Sequence, residues 1–152
     1  METTKSVIKK SILIKASKEK AWDVLFTDPY IRIWYNEFSA GCYAVTDWKL
    51  GSKAVFKDDN DNGLVGEIVA NQPNQLLSIE YVGVLEGGIE DYESEMANLM
   101  KGGRETYKIS ETDGGTYLEI ELDIAQEYFE MMSSMWDKAL EKIKELAENQ
   151  VL

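Results

Sequence analysis

Residues 7–16 alternate: Ile8, Ile12, Ile14 and Ala16 share one side of an extended chain, and Lys9 and Lys15 take the other. That period of two predicts a strand buried on one face. At Ser17 the period changes. A serine there can cap a helix by accepting from an otherwise orphaned backbone N–H, and Ala21, Trp22, Leu25 and Phe26 follow at helical spacing. Thr27-Asp28-Pro29 then ends the helix near Thr27, because proline disfavours helical geometry in the residue before it. Asp28 is expected to cap a second helix with Pro29 in its first position, where no N–H is needed. Tyr30, Ile33 and Trp34 would form its apolar face. Two short helices at an angle can press aromatic edges onto a curved surface that one straight helix could not follow.

From Phe38 to Ile124 the pattern is mostly that of strands. Ala54 and Phe56 alternate with Lys53 and Lys57, and Asn62-Gly63 marks a hairpin. Leu64 to Ala70 reads as a strand and Asn71-Gln72-Pro73-Asn74 as a turn. Leu77, Ile79 and Tyr81 form one face of the next strand. Glu105, Tyr107 and Ile109 oppose Arg104, Thr106, Lys108 and Ser110, and Asp113-Gly114-Gly115 turns the chain. Leu118, Ile120, Leu122 and Ile124 then alternate with Tyr117, Glu119, Glu121 and Asp123. Successive hairpins of this kind predict an antiparallel sheet with one buried side.

Residues 126–149 return to helical period. Phe129, Met132, Ser133, Trp136, Ala139, Leu140, Ile143, Leu146 and Ala147 line one face, and Glu130, Asp137, Glu141, Lys144, Glu145 and Glu148 the other. Such a helix needs a large apolar surface, and the inner face of the sheet is the candidate. Strand, two short helices, six strands and a long final helix, with no βαβ alternation, give class α+β. The 152 residues are expected to form a single domain, 1–152.

Between strands, residues 85–103 carry Ile89, Tyr92, Met96, Leu99 and Met100 at helical spacing, with a glycine pair at each end. They read as a short amphipathic helix between two hinges, either a mobile lid or a helix packed permanently on the sheet.

Composition narrows the function. The net charge is −12 and histidine is absent, so nucleic acid and anionic membrane surfaces are not expected partners. The cluster Lys5, Lys9, Lys10, Lys15, Lys18 and Lys20 reads as a protected strand edge. A lone cysteine, Cys42, excludes an internal disulfide and fits a reducing cytoplasm. The amino-terminal METTKSVIKKSILIKA lacks the apolar core of a signal peptide, and no stretch approaches a membrane span.

The chemical motifs are sparse. Asp58-x-Asn60-x-Asn62-Gly63 opens like a calcium loop, but its twelfth position is Val69 and not the bidentate Glu; a solvated hairpin tip is expected, with no metal. Without histidine there is no histidine triad or imidazole metal site. Cys42 lacks an activating histidine and reads as a small buried apolar residue. The glycine pairs lack the strand-to-helix setting of a nucleotide loop, and no cofactor is expected.

The strand ending in Ile14-Lys15-Ala16-Ser17, the helix with Trp22, and Thr27-Asp28-Pro29 followed by Trp34 resemble the bacterial START-like (SRPBCC) superfamily. Within it the chain is similar to homologues of the C-terminal domain of the activator of the 90-kilodalton heat-shock-protein ATPase. Leu50-Gly51 before the strand ending at Phe56, Gly63-Leu64-Val65-Gly66-Glu67-Ile68, and the final helix with Trp136 and Leu140 carry the same likeness. The resemblance implies a helix-grip fold, in which a curved antiparallel sheet wraps the last helix and the two short helices close one side. It also implies a sheet–helix cavity, which many relatives use for lipids, polyketides or other apolar molecules. Two features depart from it: the chain has no room for the separate amino-terminal domain of the eukaryotic activator, and Ser52 follows Gly51 where a glycine pair is common.

On that fold, Phe56, Tyr81, Tyr107, Phe129, Met132 and Trp136 should point into the interior, with Trp34, Met96 and Met100 contributed by the helices around it. They would line an adaptable apolar pocket or simply fill the core. Glu105 shares the apolar face of its strand. A carboxyl group there would lose hydration and its pKa would rise, making it an acid, a base or a polar anchor; a strand that began one residue later would leave it at a wet rim instead. Glu67 raises the same question less sharply. The first expectation for function is non-catalytic binding or transport of a small hydrophobic molecule, lipids included. The alternatives are an accessory protein of a chaperone and a cyclase or dehydratase using Glu105 with Tyr81 or Tyr107. A monomer and a homodimer both fit.

Overall fold

The computed structural model describes residues 5–149; the first four residues of the amino-terminal stretch read above lie outside them. β1 (Lys5–Ile14) leads into α1 (Lys18–Phe26) and α2 (Tyr30–Tyr35). β2 (Tyr43–Val45), β3 (Lys53–Lys57), β4 (Gly63–Gln72), β5 (Leu76–Glu86) and β6 (Ile89–Asp91) follow. After α3 (Glu95–Met100) come β7 (Arg104–Thr112) and β8 (Gly115–Ala125). A 3-10 turn at Gln126–Tyr128 opens α4 (Phe129–Glu148).

The strands form one antiparallel sheet in the order β1-β8-β7-β5-β4-β3-β2, with β6 added beside β5. The concave face is apolar, and α4 lies in it with Trp136, Ala139, Leu140, Ile143 and Ala147 buried. This is the α+β helix-grip architecture. The lysine-bearing β1 is an edge strand. Its Lys10 reaches Asp137 of α4 at 2.6 Å, and Lys18 beyond it pairs with Glu111 at 3.3 Å.

The region 85–103 differs from the single expected helix. Gly87 and Gly88 adopt φ of 55° and 83°, a left-handed turn open to glycine, and Ile89 folds back opposite Glu86 as β6. Among the described residues seven strands therefore follow the first two helices rather than six. β6 and β7 share one edge of β5, pairing with Val84–Glu86 and Leu76–Glu80 respectively. α3 lies in the gap between them, anchored by Tyr81 N–H to Gly103 C=O at 2.8 Å and Gly102 N–H to Tyr81 C=O at 3.0 Å.

The helical break also differs in detail. Ser17 caps α1 by accepting from Lys20 N–H at 3.1 Å, and α1 ends at Thr27. Pro29, however, sits at the cap of α2 with no side-chain cap bond; Asp28 pairs with Arg32 at 3.3 Å instead. α2 buries Ile31, Trp34 and Tyr35 rather than Tyr30 and Ile33. The Trp34 indole N–H donates to Val24 C=O of α1 at 3.0 Å. A buried indole N–H needs an acceptor, and this one sets the roll of the helix.

The Asp58 loop is a hairpin tip between β3 and β4. The Asp58 carboxylate accepts from Asn60 N–H at 2.9 Å and from Asn62 N–H at 3.1 Å, so its oxygen holds the turn. Among the described residues no helix is long and apolar enough to cross a membrane.

Candidate functional site

α4 lies closest to β1, α1 and α2. Across the centre of the sheet the separation is spanned by rings: Tyr107 and Trp136 have centroids 6.0 Å apart, Trp34 and Trp136 5.9 Å, and Phe38 and Trp136 4.9 Å. Beside these rings a cavity of about 150 Å³ remains. Phe56, Tyr81, Glu105 and Tyr107 come from the sheet, and Trp34 and Trp136 from the helices. The half-buried Phe38, Met100 and Met132, with the exposed Asp123, form its more open side.

Strand register explains the convergence. Leu77 pairs with Tyr107 and Ile79 with Glu105, and directly paired residues share a face. Two residues beyond Ile79, Tyr81 points the same way, toward Glu105. Gly66 pairs with Tyr81 on the next strand. A Cβ there would lie 2.8 Å from Ile79 Cγ2 and 3.1 Å from Glu80 C=O, and at ordinary contact distance, 3.5 Å, from Tyr81 Cδ1, so glycine leaves the room that the Ile79 side chain occupies.

The polar centre is a carboxylate held by two phenols. Tyr81 O–H donates to Glu105 Oε1 at 3.1 Å, and Tyr107 O–H donates to Oε2. Loss of hydration raises the pKa of Glu105, and the two phenolic donors pull it partly back. Burial pushes Tyr35, Tyr81 and Tyr107 well above the ordinary phenol value, and the Glu105 charge adds to this. Burial likewise raises the Cys42 thiol, with Asp58 adding to it. The trio can hold a proton at Glu105 or present a carboxylate to a guest.

Of the residues singled out in the sequence, Trp34, Phe56, Tyr81, Met100, Glu105, Tyr107, Met132 and Trp136 surround this cavity. Two do not. Met96 is 47% exposed, because the inward face of α3 centres on Ala97 and Met100. Phe129 packs against the core at the first turn of α4, outside the cavity lining. Glu67 faces solvent. Tyr35, Phe38, Leu64, Leu122, Asp123 and Ile124 also line it without having been singled out in the sequence, and Cys42, expected to be buried filler, is a half-buried wall residue. For Leu64 and Leu122 the strand alternation carried the signal. Phe38 and Cys42 lie in an irregular stretch with no period to read.

No family model matches the chain, and no curated protein does. Solved structures do match. A structural-genomics protein from Mesorhizobium loti is 18% identical, with 97% of this chain and 100% of that one covered, at a TM-score of 0.74. The Aha1 dimer from Colwellia psychrerythraea is 17% identical, covering 94% and 96%, at a TM-score of 0.72. DynU16, from the dynemicin biosynthetic locus, is 12% identical, covering 94% and 47%, at a TM-score of 0.68. At these identities the likeness is one of fold: the chain has the START-like helix-grip fold, of the kind that the Colwellia Aha1 shares.

Proposed function

We propose that the chain binds a small, largely apolar molecule in the cavity between sheet and α4, without transforming it. The observation that carries this reading is the cavity of about 150 Å³ among Trp34, Phe56, Tyr81, Tyr107 and Trp136. A hollow of this size suits a single ring or a short branched chain, since cavities near this volume take up benzene. It is below the usual span of drug-sized sites, so a lipid would have to widen it. Met100 and Met132, flexible and polarizable, stand where widening would be easiest. DynU16, encoded in a biosynthetic locus, is consistent with small-molecule work on this fold. Native mass spectrometry of the purified chain tests the reading: a retained or added small molecule that displaces with a second one supports it. A chain that binds no member of a panel of one-ring compounds overturns it.

A second reading, an accessory role toward another protein such as a chaperone, has one specific support. Ile89 is 72% exposed, and Tyr92 and Met96 are exposed on the same excursion from the sheet. This apolar segment, together with the Aha1 likeness, is what a partner surface would use. Ile89→Asp should abolish binding to a chaperone if that surface is the contact. Retained binding would remove the support.

A further inference from the structure

The charge and donor inventory of the cavity says what its guest must bring. Both Tyr81 and Tyr107 spend their O–H protons on Glu105. An ionised carboxylate has about four lone-pair sites, of which these two bonds fill two. The sheet wall therefore offers lone pairs: the remaining Glu105 sites and those of the two phenol oxygens. Among the described residues the Tyr35 hydroxyl and the Trp136 indole N–H are lining donors with no hydrogen-bond acceptor of their own, whereas the Trp34 indole is spent on Val24 C=O. The ionisable acids of the lining are the carboxylates of Glu105 and Asp123, and no lysine or arginine belongs to it. Asp123 accepts from Arg104 N–H at 3.0 Å, which is a backbone group and brings no counter-charge.

A buried carboxylate is stable when paired or when neutral. Among the described residues no lysine or arginine pairs with it, and loss of hydration favours its neutral form. Around it stand the rings of Trp34, Phe56, Tyr81, Tyr107 and Trp136, and aromatic faces attract cations. An anion, such as a fatty-acid carboxylate, would have the Tyr35 hydroxyl as a donor but no lysine or arginine in the lining to pair with, and it would face the Glu105 oxygens. A hydrocarbon would fill the rings but leave the carboxylate without a partner.

We infer that the preferred guest is a small organic cation, an ammonium on an apolar body of about one ring, whose N–H groups donate to Glu105 and whose body lies among Trp34, Tyr107 and Trp136. This rests on the proposed binding of a small molecule in the cavity, and adds the sign of its charge and the direction of its hydrogen bonds.

Three probes of the same shape separate the possibilities: benzylammonium, toluene and benzoate. Each is titrated into ¹⁵N-labelled wild-type chain while the indole N–H signals of Trp34 and Trp136 are followed by NMR. The expected result is saturable shifts with benzylammonium, at a Kd at least about tenfold below that of toluene, and none with benzoate. Glu105→Gln should bring benzylammonium to within about threefold of toluene. If toluene or benzoate binds wild type as tightly as benzylammonium, or if Glu105→Gln leaves the ammonium affinity unchanged, the cation preference is wrong and the apolar cavity stands. If no probe shifts either indole, the cavity does not bind small molecules and both readings fall. The wild-type comparison decides the matter even if the variant does not fold.

Discussion

Tyr81 and Tyr107, on neighbouring strands, point their hydroxyls at opposite oxygens of one carboxylate, Glu105. The register that pairs Leu77 with Tyr107 and Ile79 with Glu105 brings the three together. An acid thus sits on the apolar face of a sheet that otherwise carries Ile, Leu and aromatic side chains.

The stability of the fold should carry the mark of this acid. Burial lifts the Glu105 pKa above the ordinary 4.5, so the folded chain keeps a proton that the unfolded chain has released. The stabilisation is complete below pH 4.5 and is lost as pH rises through the raised value. Urea denaturation of wild type and Glu105→Gln from about pH 4 to about pH 8 isolates it from the other carboxylates. Wild type should lose stability relative to the variant with rising pH. A constant difference would contradict this.

Gly66 should not tolerate a side chain. Its added Cβ would stand 2.8 Å from Ile79 Cγ2 and 3.1 Å from Glu80 C=O. Gly66→Ala is expected to cost about 1–3 kcal/mol by overpacking against Ile79. Chemical denaturation reads the effect. Unchanged stability would mean that the strand yields freely.

Trp34 joins the two short helices. It is 1% exposed and its indole donates to Val24 C=O. Trp34→Phe keeps most of the bulk but leaves that carbonyl without its donor, at a cost of about 1–3 kcal/mol. Trp34→Ala adds a cavity and should cost about 3–5 kcal/mol. Equal losses for the two variants would show that the hydrogen bond does not matter.

Ser17→Ala removes the acceptor that caps α1 and should lower stability by about 0.5–2 kcal/mol. Ser17→Asp, which restores an acceptor, should recover most of it. Failure to recover would assign the effect to something other than the cap.

How much of this was legible in the sequence follows the range of the forces involved. Local chemistry was plain: Ser17 as a cap, the end of α1 at Thr27, and the alternation that turns Glu105 and Tyr107 to the same side. The period of residues 126–149 gave the buried face of α4, because a long helix averages over small errors of phase. Short elements were less readable. The roll of α2 is set by a bond from Trp34 to Val24, a contact that no local pattern encodes. The 85–103 segment looked helical because Ile89, Tyr92 and Met96 match that spacing, yet Gly87-Gly88 and a free stretch of the β5 edge made strand pairing available to Ile89. Phe38 and Cys42 reached the cavity through an irregular loop, where neither period applies.

The central claim is that the grip of the sheet on α4 leaves a hollow that a guest can enter. A crystal of the protein under xenon pressure tests it most directly. Xenon density among Phe56, Tyr81, Tyr107 and Trp136 is the expected result. An interior closed by those side chains, with no xenon between them, would contradict the claim.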